Sequence, residues 1–146
     1  MFVARQLAKH QIGLVWNEIS RRYVDSNVTF YLPPVWREKA DDKKQGSGEG
    51  TVNTEQPDAF MDQAIDYYNK LIASNVAPEL ARMVLPQAMN TEWYWSGSLF
   101  AFSRVCKLRI ADDAQAETRT IARQISNICE ELFPISWKEL QEKRNN

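Results

Sequence analysis

The stretch from Asp112 to Pro134 constrains this chain more than any other. Ala114, Ile121, Ala122, Ile125, Ile128, Cys129 and Leu132 recur at the three-and-four spacing of a single helix face. A helix striped in this way has to cover its apolar side with a second layer of structure. Asp112 and Asp113 are candidate N-caps, because a short carboxylate can accept from the first free amides of a helix. Pro134 ends the helix, and Trp137 with Leu140 predicts one short closing helix. A second stripe of Phe60, Ala64, Ile65, Tyr68, Leu71 and Ile72 predicts a helix from Ala59, with Asn75 as its stop. Leu99, Phe102, Val105 and Leu108 predict a third.

The rest of the chain is less regular. From Phe2 to Ile12, Phe2, Val3, Leu7 and Ala8 share one side of a helix while Arg5, Gln6 and Lys9 project elsewhere. Gly13 loosens that helix, and Val15 to Val24 reads as a loop running into a short strand. Two prolines and several aromatics lie between Phe30 and Trp36, and Asp41 to Gln56 is polar, glycine-bearing and without apolar period. This predicts a long, mobile surface loop over about residues 38–57, and long loops in compact domains are often functional. Pro78 suits the first turn of a short helix through Met83, ended by Pro86. Thr91 to Trp95 is aromatic and threonine-rich enough for a strand leading directly into a helix. No repeat is visible, so the expectation is one helix-rich α+β domain over residues 1–146.

A chain of 146 residues can bury roughly 70% of its unfolded surface, enough for a substantial core. Its 18 Lys and Arg against 19 Asp and Glu provide no basic field for duplex nucleic acid, though a local anion site remains open. No apolar run approaches the ~20 residues of a membrane span. Met1 to Arg5 lacks the long apolar stretch of a signal peptide. The expected setting is therefore cytoplasmic, or the host cytoplasm if the chain is virus-encoded, with no membrane partner. Cys106 and Cys129 fall on apolar helix faces without paired-cysteine spacing or a neighbouring His, which favours two buried thiols over a metal site. Five Trp, five Tyr and six Phe suit either the stacking of planar rings or a large core.

Three segments concentrate polar chemistry: Arg5 to Tyr23, Glu79 to Pro86, and Thr91 to Glu117. The first, RQLAKHQIGLVWNEISRRY, gathers cations, a lone His, a carboxylate, amides and a hydroxyl around a turn. Such a set can hold a phosphate together with polar ring edges, and it also fits a solvated helix end with a hydrophilic loop. Arg109 alone reads as a cation neutralising a helix C-terminus. Trp93, Tyr94 and Trp95 could stack on a ring or, as a strand, alternate between core and interface. His10 could be a general base, or a hydrogen-bonding or stacking group.

In their order, these segments resemble the flavin-dependent thymidylate synthase family. Asn17-Glu18-Ile19-Ser20-Arg21-Arg22-Tyr23 matches the second half of the family's first signature. The first half, commonly RHR, reads Lys9-His10-Gln11 and lies one residue farther from Ser20. Trp36-Arg37 and Lys43-Lys44-Gln45-Gly46-Ser47 look like the family's loop, and Glu79 to Pro86 looks like its E-x-x-R-x-x-L-P element. Ser96-Gly97-Ser98-Leu99, Leu108-Arg109 and Ala114-Gln115-Ala116-Glu117 resemble its third element, with Ser98 where Asn is commoner. Family members usually carry some tens of residues ahead of the segment beginning at Phe2, so the expectation is a fragment or a compact form.

The resemblance implies a homotetramer with sites between subunits. It would convert dUMP to dTMP with methylenetetrahydrofolate as carbon donor and FAD, reduced by NADPH, as hydride carrier. By position in the motifs, Arg22 and Arg82 bind the dUMP phosphate, which a guanidinium fork matches bidentately. Gln6 and Ser20 add neutral hydrogen bonds, and Lys9, Glu18 and Arg21 complete the substrate contacts. Arg109 is implied as the catalytic group, facing the uracil and stabilising charge that develops on the ring. Lys9, His10, Gln11, Asn17 and Glu18 map onto flavin contacts, and Ser98 and Arg104 onto later ones. Two alternatives share these residues: a flavin-dependent dUMP hydroxymethylase-type enzyme, and a non-catalytic nucleotide-binding or assembly homologue.

Overall fold

A computed structural model describes residues 1–20, 28–41 and 46–142. The elements in chain order are α1 (Phe2–Leu7), β1 (Leu14–Glu18), β2 (Trp36–Arg37), β3 (Thr51–Val52), α2 (Asp58–Ala73), α3 (Pro78–Ala81), a 3-10 turn (Arg82–Val84), β4 (Trp93–Gly97), α4 (Leu99–Arg109), α5 (Ala116–Leu132) and α6 (Pro134–Glu142). β1 pairs with β4 and β2 with β3. This is the helix-rich α+β fold expected from the sequence, divided into two compact units.

The first unit holds Met1–Phe2, Asn17–Trp36 and Asn53–Tyr94. Its core lies under α2, where Ala64 and Tyr68 are buried, with Ala81 of α3 and Met89 buried as well. Asn75 stops α2 as expected: it takes a left-handed φ of 61°, which Asn tolerates better than most residues, and its amide donates to Ile72 O at 2.9 Å. Phe60, assigned to the same stripe, is 58% exposed.

The second unit holds Val3–Trp16, Arg37–Val52 and Trp95–Asn146. Here α4, α5 and α6 pack on one another, burying Ala101, Val105, Cys106, Ala122 and Trp137. Trp137 Nε1 donates to Ser126 Oγ at 3.2 Å, satisfying the indole inside the helix layer. Cys106 is buried and Cys129 half-buried, both as free thiols. Among the described residues no cluster of potential metal ligands occurs, and no helix is long and apolar enough to cross a membrane.

Several boundaries differ from the sequence expectation. The first helix ends at Leu7, not Ile12. A tight turn follows, in which His10 N donates to Leu7 O at 3.0 Å, and Gly13 at φ 73° reverses the chain into β1. The N-cap of α5 is Gln115, with no side-chain cap bond, in place of Asp112 or Asp113. The latter two sit in the preceding turn, whose Ala114 carbonyl is taken by Arg119 Nη2 at 3.0 Å. The expected loop near residues 38–57 carries the short β3. Its backbone returns on β2 through Glu38 N to Gly50 O at 3.0 Å and Gly48 N to Glu38 O at 2.8 Å.

Candidate functional site

The site grows out of the end of α1. Leu7 is fully buried and anchors the helix, which places the residues flanking it, Gln6 on one side and Lys9 and His10 on the other, at the cavities of the second unit. The last turn of α4 brings Arg109 to the same place. Arg109 Nε donates to His10 Nε2 at 2.9 Å, and its Nη2 makes a longer contact with Gln6 O at 3.4 Å. The His10 pKa is pushed below its ordinary value, first by burial and then by the charges of Arg109 and Arg104. Its imidazole is therefore neutral near pH 7, with Nε2 as the acceptor and the proton on Nδ1.

Gln6, Lys9 and Arg109 line a cavity of about 680 Å³ together with Arg37, Gly46, Ser47, Leu108 and the Asp113–Gln115 turn. That volume is typical of a small-ligand site. Among the described residues three cations, Lys9, Arg37 and Arg109, and one carboxylate, Asp113, lie in its wall; Arg37 is paired with Glu117, and Lys9 and Arg109 leave a local field that favours an anion. Gly46 adopts φ +83°, and a Cβ there would stand 3.1 Å from Asp113 O. A side chain at that position would be strained where the loop seats on the turn before α5. Arg37 holds the loop: its Nε donates to Ser47 Oγ at 2.8 Å, while its Nη2 pairs with Glu117. Burial would raise the Glu117 carboxyl, but hydrogen bonds from Arg37, its own backbone and Gln115, with the Arg37 charge, hold it below the usual carboxylate value. Gln6 is fixed at both ends of its amide, donating through Nε2 to Gln115 Oε1 and accepting from Thr118 Oγ1 at 3.1 Å.

A smaller cavity of about 220 Å³ shares Lys9 and Leu108 with the first and adds His10, Gln11, Arg104 and apolar side chains including Leu14, Ala101 and Val105. An apolar wall edged by cations and a neutral imidazole fits one face of a planar, phosphate-bearing cofactor such as FAD. Its volume falls below the range of roughly 300–1,000 Å³ for whole drug-sized ligands, so it would take a ring or phosphate portion and not the entire dinucleotide.

The sequence-predicted residues thus separate into groups. Gln6, Lys9 and Arg109 meet at the larger cavity, and Lys9, His10, Gln11 and Arg104 at the smaller. Ser98 belongs to neither wall; its hydroxyl caps α4, accepting from Ala101 N at 3.1 Å. Asn17, Glu18, Ser20 and Arg82 belong to the first unit, where Glu18 Oε1 accepts from Thr91 Oγ1 at 2.6 Å and the exposed Arg82 donates to Glu79 O at 3.2 Å. Arg21 and Arg22 lie outside the described residues, as do Tyr23 and Lys43 to Gln45. Trp95 packs edge-on against Trp16 and Phe102, each at 5.4 Å, while Tyr94 is 77% exposed, so the strand alternates as a half-covered strand should. Sequence reasoning left Arg37, Gln115 and Glu117 as motif letters without roles and passed over Thr118. The available signal was the Ala-Gln-Ala-Glu run itself, whose polar residues are placed to converge only at the start of a helix.

Fold and cavity together define an α+β chain with a cationic, amide-edged cavity. The chain belongs to the thymidylate synthase complementing protein family, which matches residues 1–135. It is 40% identical over 146 residues to the flavin-dependent thymidylate synthase of Thermus thermophilus, covering 97% of this chain and 53% of that protein. With the enzyme of the same description from Aquifex aeolicus it shares 35% identity over 134 residues, covering 88% of this chain and 42% of the relative. The chain therefore spans about half the length of the curated relatives it matches. Among solved structures, its fold is similar to the UMP/dUMP methylase PolB from Streptomyces cacaoi bound with 5-Br dUMP, at TM-score 0.76 and 24% identity over 94% of this chain and 64% of that one.

Proposed function

We propose that this chain forms part of the dUMP and flavin site of a flavin-dependent thymidylate synthase. The reaction converts dUMP to dTMP with methylenetetrahydrofolate as carbon donor and NADPH as the source of reducing equivalents, within a homotetramer whose sites lie between subunits. The observation that carries the reading is the convergence of Gln6, Lys9, Arg37 and Arg109 on one cavity of about 680 Å³ in a member of this family. An anionic ligand requires cations and hydrogen-bond donors, and these four side chains supply both. Arg109, held by His10 and the Gln6 carbonyl, is a fixed cation able to stabilise negative charge on a uracil attacked at its C5–C6 bond. Bound FAD would supply the two-electron reduction that no side chain can perform, and Lys9, His10, Gln11 and Arg104 are the residues of this unit that would hold part of it. By the family's motifs, Ser20, Arg21, Arg22 and Arg82 are further dUMP-binding residues.

The test is the absorption spectrum of the purified chain alone, with FAD, and then with dUMP. Flavin absorbance retained after gel filtration and perturbed by dUMP is expected. Protein that stays colourless after incubation with FAD at tens of micromolar, and forms no dTMP, would favour the non-catalytic alternative.

A further inference from the structure

Ser47 is held in the wall of the larger cavity from three sides. Its Oγ accepts from Arg37 Nε at 2.8 Å, and Arg37 is itself fixed by the pairing of its Nη2 with Glu117 in the first turn of α5. Before Ser47 in the chain, Gly46 seats on the backbone of Asp113 and Ala114. After it, Gly48 N donates to Glu38 O at 2.8 Å and Glu38 N to Gly50 O at 3.0 Å. All these residues belong to one compact unit. The Arg37 side chain is only 27% exposed and that of Glu117 12%, so water competes weakly for the pair behind Ser47. Polarity decides what the serine has left to offer. A guanidinium only donates, so the bond from Arg37 takes a lone pair of Ser47 Oγ and leaves its hydrogen. Among the described residues nothing accepts that hydrogen, and Ser47 lines the cavity whose wall also holds Lys9 and Arg109. A hydroxyl that accepts from a cation is polarised to donate more strongly.

We infer that Ser47 is a binding residue of the larger cavity, donating its hydroxyl hydrogen to an acceptor oxygen of the anion held there, with Arg37 and Glu117 as the pair that positions it. The loop is anchored before a ligand arrives, so little ordering is left to oppose the new bond. The nucleotide as ligand rests on the function proposed above, whereas the polarity of Ser47 does not. Both the phosphate and the ring carbonyls of dUMP carry acceptor oxygens, and inorganic phosphate as a second probe separates them.

In 15N-labelled protein without ligand, Ser47→Ala and Glu117→Gln should each shift the Arg37 Nε–H signal, the first by removing its acceptor and the second by neutralising the partner of the guanidinium. With dUMP in calorimetry, Ser47→Ala should weaken binding by about tenfold. In a Glu117→Gln background the same substitution should cost no more than about threefold, because the hydroxyl is no longer held in place. Inorganic phosphate, followed by 31P line broadening, should show the loss on Ser47→Ala when a phosphate oxygen is the acceptor; a loss confined to dUMP assigns the acceptor to a ring carbonyl. Unchanged affinity of Ser47→Ala for both probes overturns the inference, as does an Arg37 signal that responds to neither variant. Equal losses on Ser47→Ala in the two backgrounds overturn the positioning role of Glu117. If wild-type protein binds phosphate through Ser47 but no dUMP, the binding residue stands and the nucleotide reading falls; if it binds neither probe, the inference falls.

Discussion

Arg109 Nε donates to the Nε2 of His10 at 2.9 Å, so the single imidazole of the chain serves as an acceptor for one of the cations of the larger cavity. Protonation would turn that acceptor into a donor facing a guanidinium. Burial, then Arg109 and Arg104, already hold the His10 pKa below 6.5. The unfolded chain thus binds this proton more tightly than the folded one. The stability gained is complete above pH 6.5 and declines as pH falls through the folded value. We expect the His10 ring signal in a proton NMR titration to show its midpoint below 6.5, and Arg109→Ala to move it upward. A midpoint at or above 6.5 would refute the arrangement.

Ser98 accepts from Ala101 N at 3.1 Å as the N-cap of α4, with the extended backbone expected there. Ser98→Ala should cost about 0.5–2 kcal/mol of stability, and Ser98→Asn, an equally good cap, should cost almost nothing. Urea unfolding followed by far-UV circular dichroism separates the two. Equal losses in both variants would mean that the cap does not carry the stability.

A Cβ on Gly97 would stand 2.5 Å from Leu14 Cδ2 and 2.6 Å from the Gly13 carbonyl oxygen. The leucine can turn aside but the backbone oxygen cannot. Gly97→Ala should therefore destabilise by roughly 1–3 kcal/mol, the cost of forced overpacking. Gly48→Ala, where the nearest atom is Lys39 O at 3.3 Å, should cost distinctly less. Comparison of the two thermal midpoints checks the difference.

How far the sequence could be read depended on how local each determinant is. The stops of α2 at Asn75 and of α5 before Pro134 are properties of single residues, and both were legible. The extent of the stripes was not. Leu108, Ile128 and Leu132 sit on apolar faces yet remain 53%, 57% and 64% exposed, because periodicity reports that a face is apolar and not what covers it. Gln6, Lys9, His10 and Arg109 could be singled out through the family's motif. The role of Arg37 depends on Ser47 and Glu117, the latter 80 residues away, and no local pattern encodes a pairing of that range. Gln115 likewise reads as helix surface until its contact with Gln6 is known.

Arg82 is exposed, and its Nε bond to the Glu79 carbonyl is local to its own turn. Arg82→Ala should accordingly leave the chain folded, while weakening dUMP binding by ~1.5–3 kcal/mol, the usual value of a hydrogen bond to a charged group. Calorimetric titration of the folded variant is the measurement. A variant that unfolds, alongside an Arg37→Ala that stays folded and loses dUMP binding, would move the phosphate to Arg37.

The proposed function also requires Ser20 to bind substrate without forming a covalent bond to it. A serine becomes a useful nucleophile only beside a base. The one imidazole of the chain has its pKa lowered and its Nε2 occupied by Arg109. Nor do the thiols offer a substitute: burial, and after it the neighbouring Cys129, pushes Cys106 up to about 12, and burial raises Cys129 as well. Both are protonated near neutrality, and iodoacetamide should label neither rapidly in the native protein. Removing an essential nucleophile costs on the order of 10⁶ in turnover. Losing one substrate hydrogen bond costs ~1–3 kcal/mol, about 5-fold to 150-fold in rate. The two ranges do not overlap, so the rate of dTMP formation by folded, flavin-loaded Ser20→Ala decides between them. Residual turnover within 150-fold of wild type is expected, and a variant with no detectable turnover would make Ser20 the nucleophile.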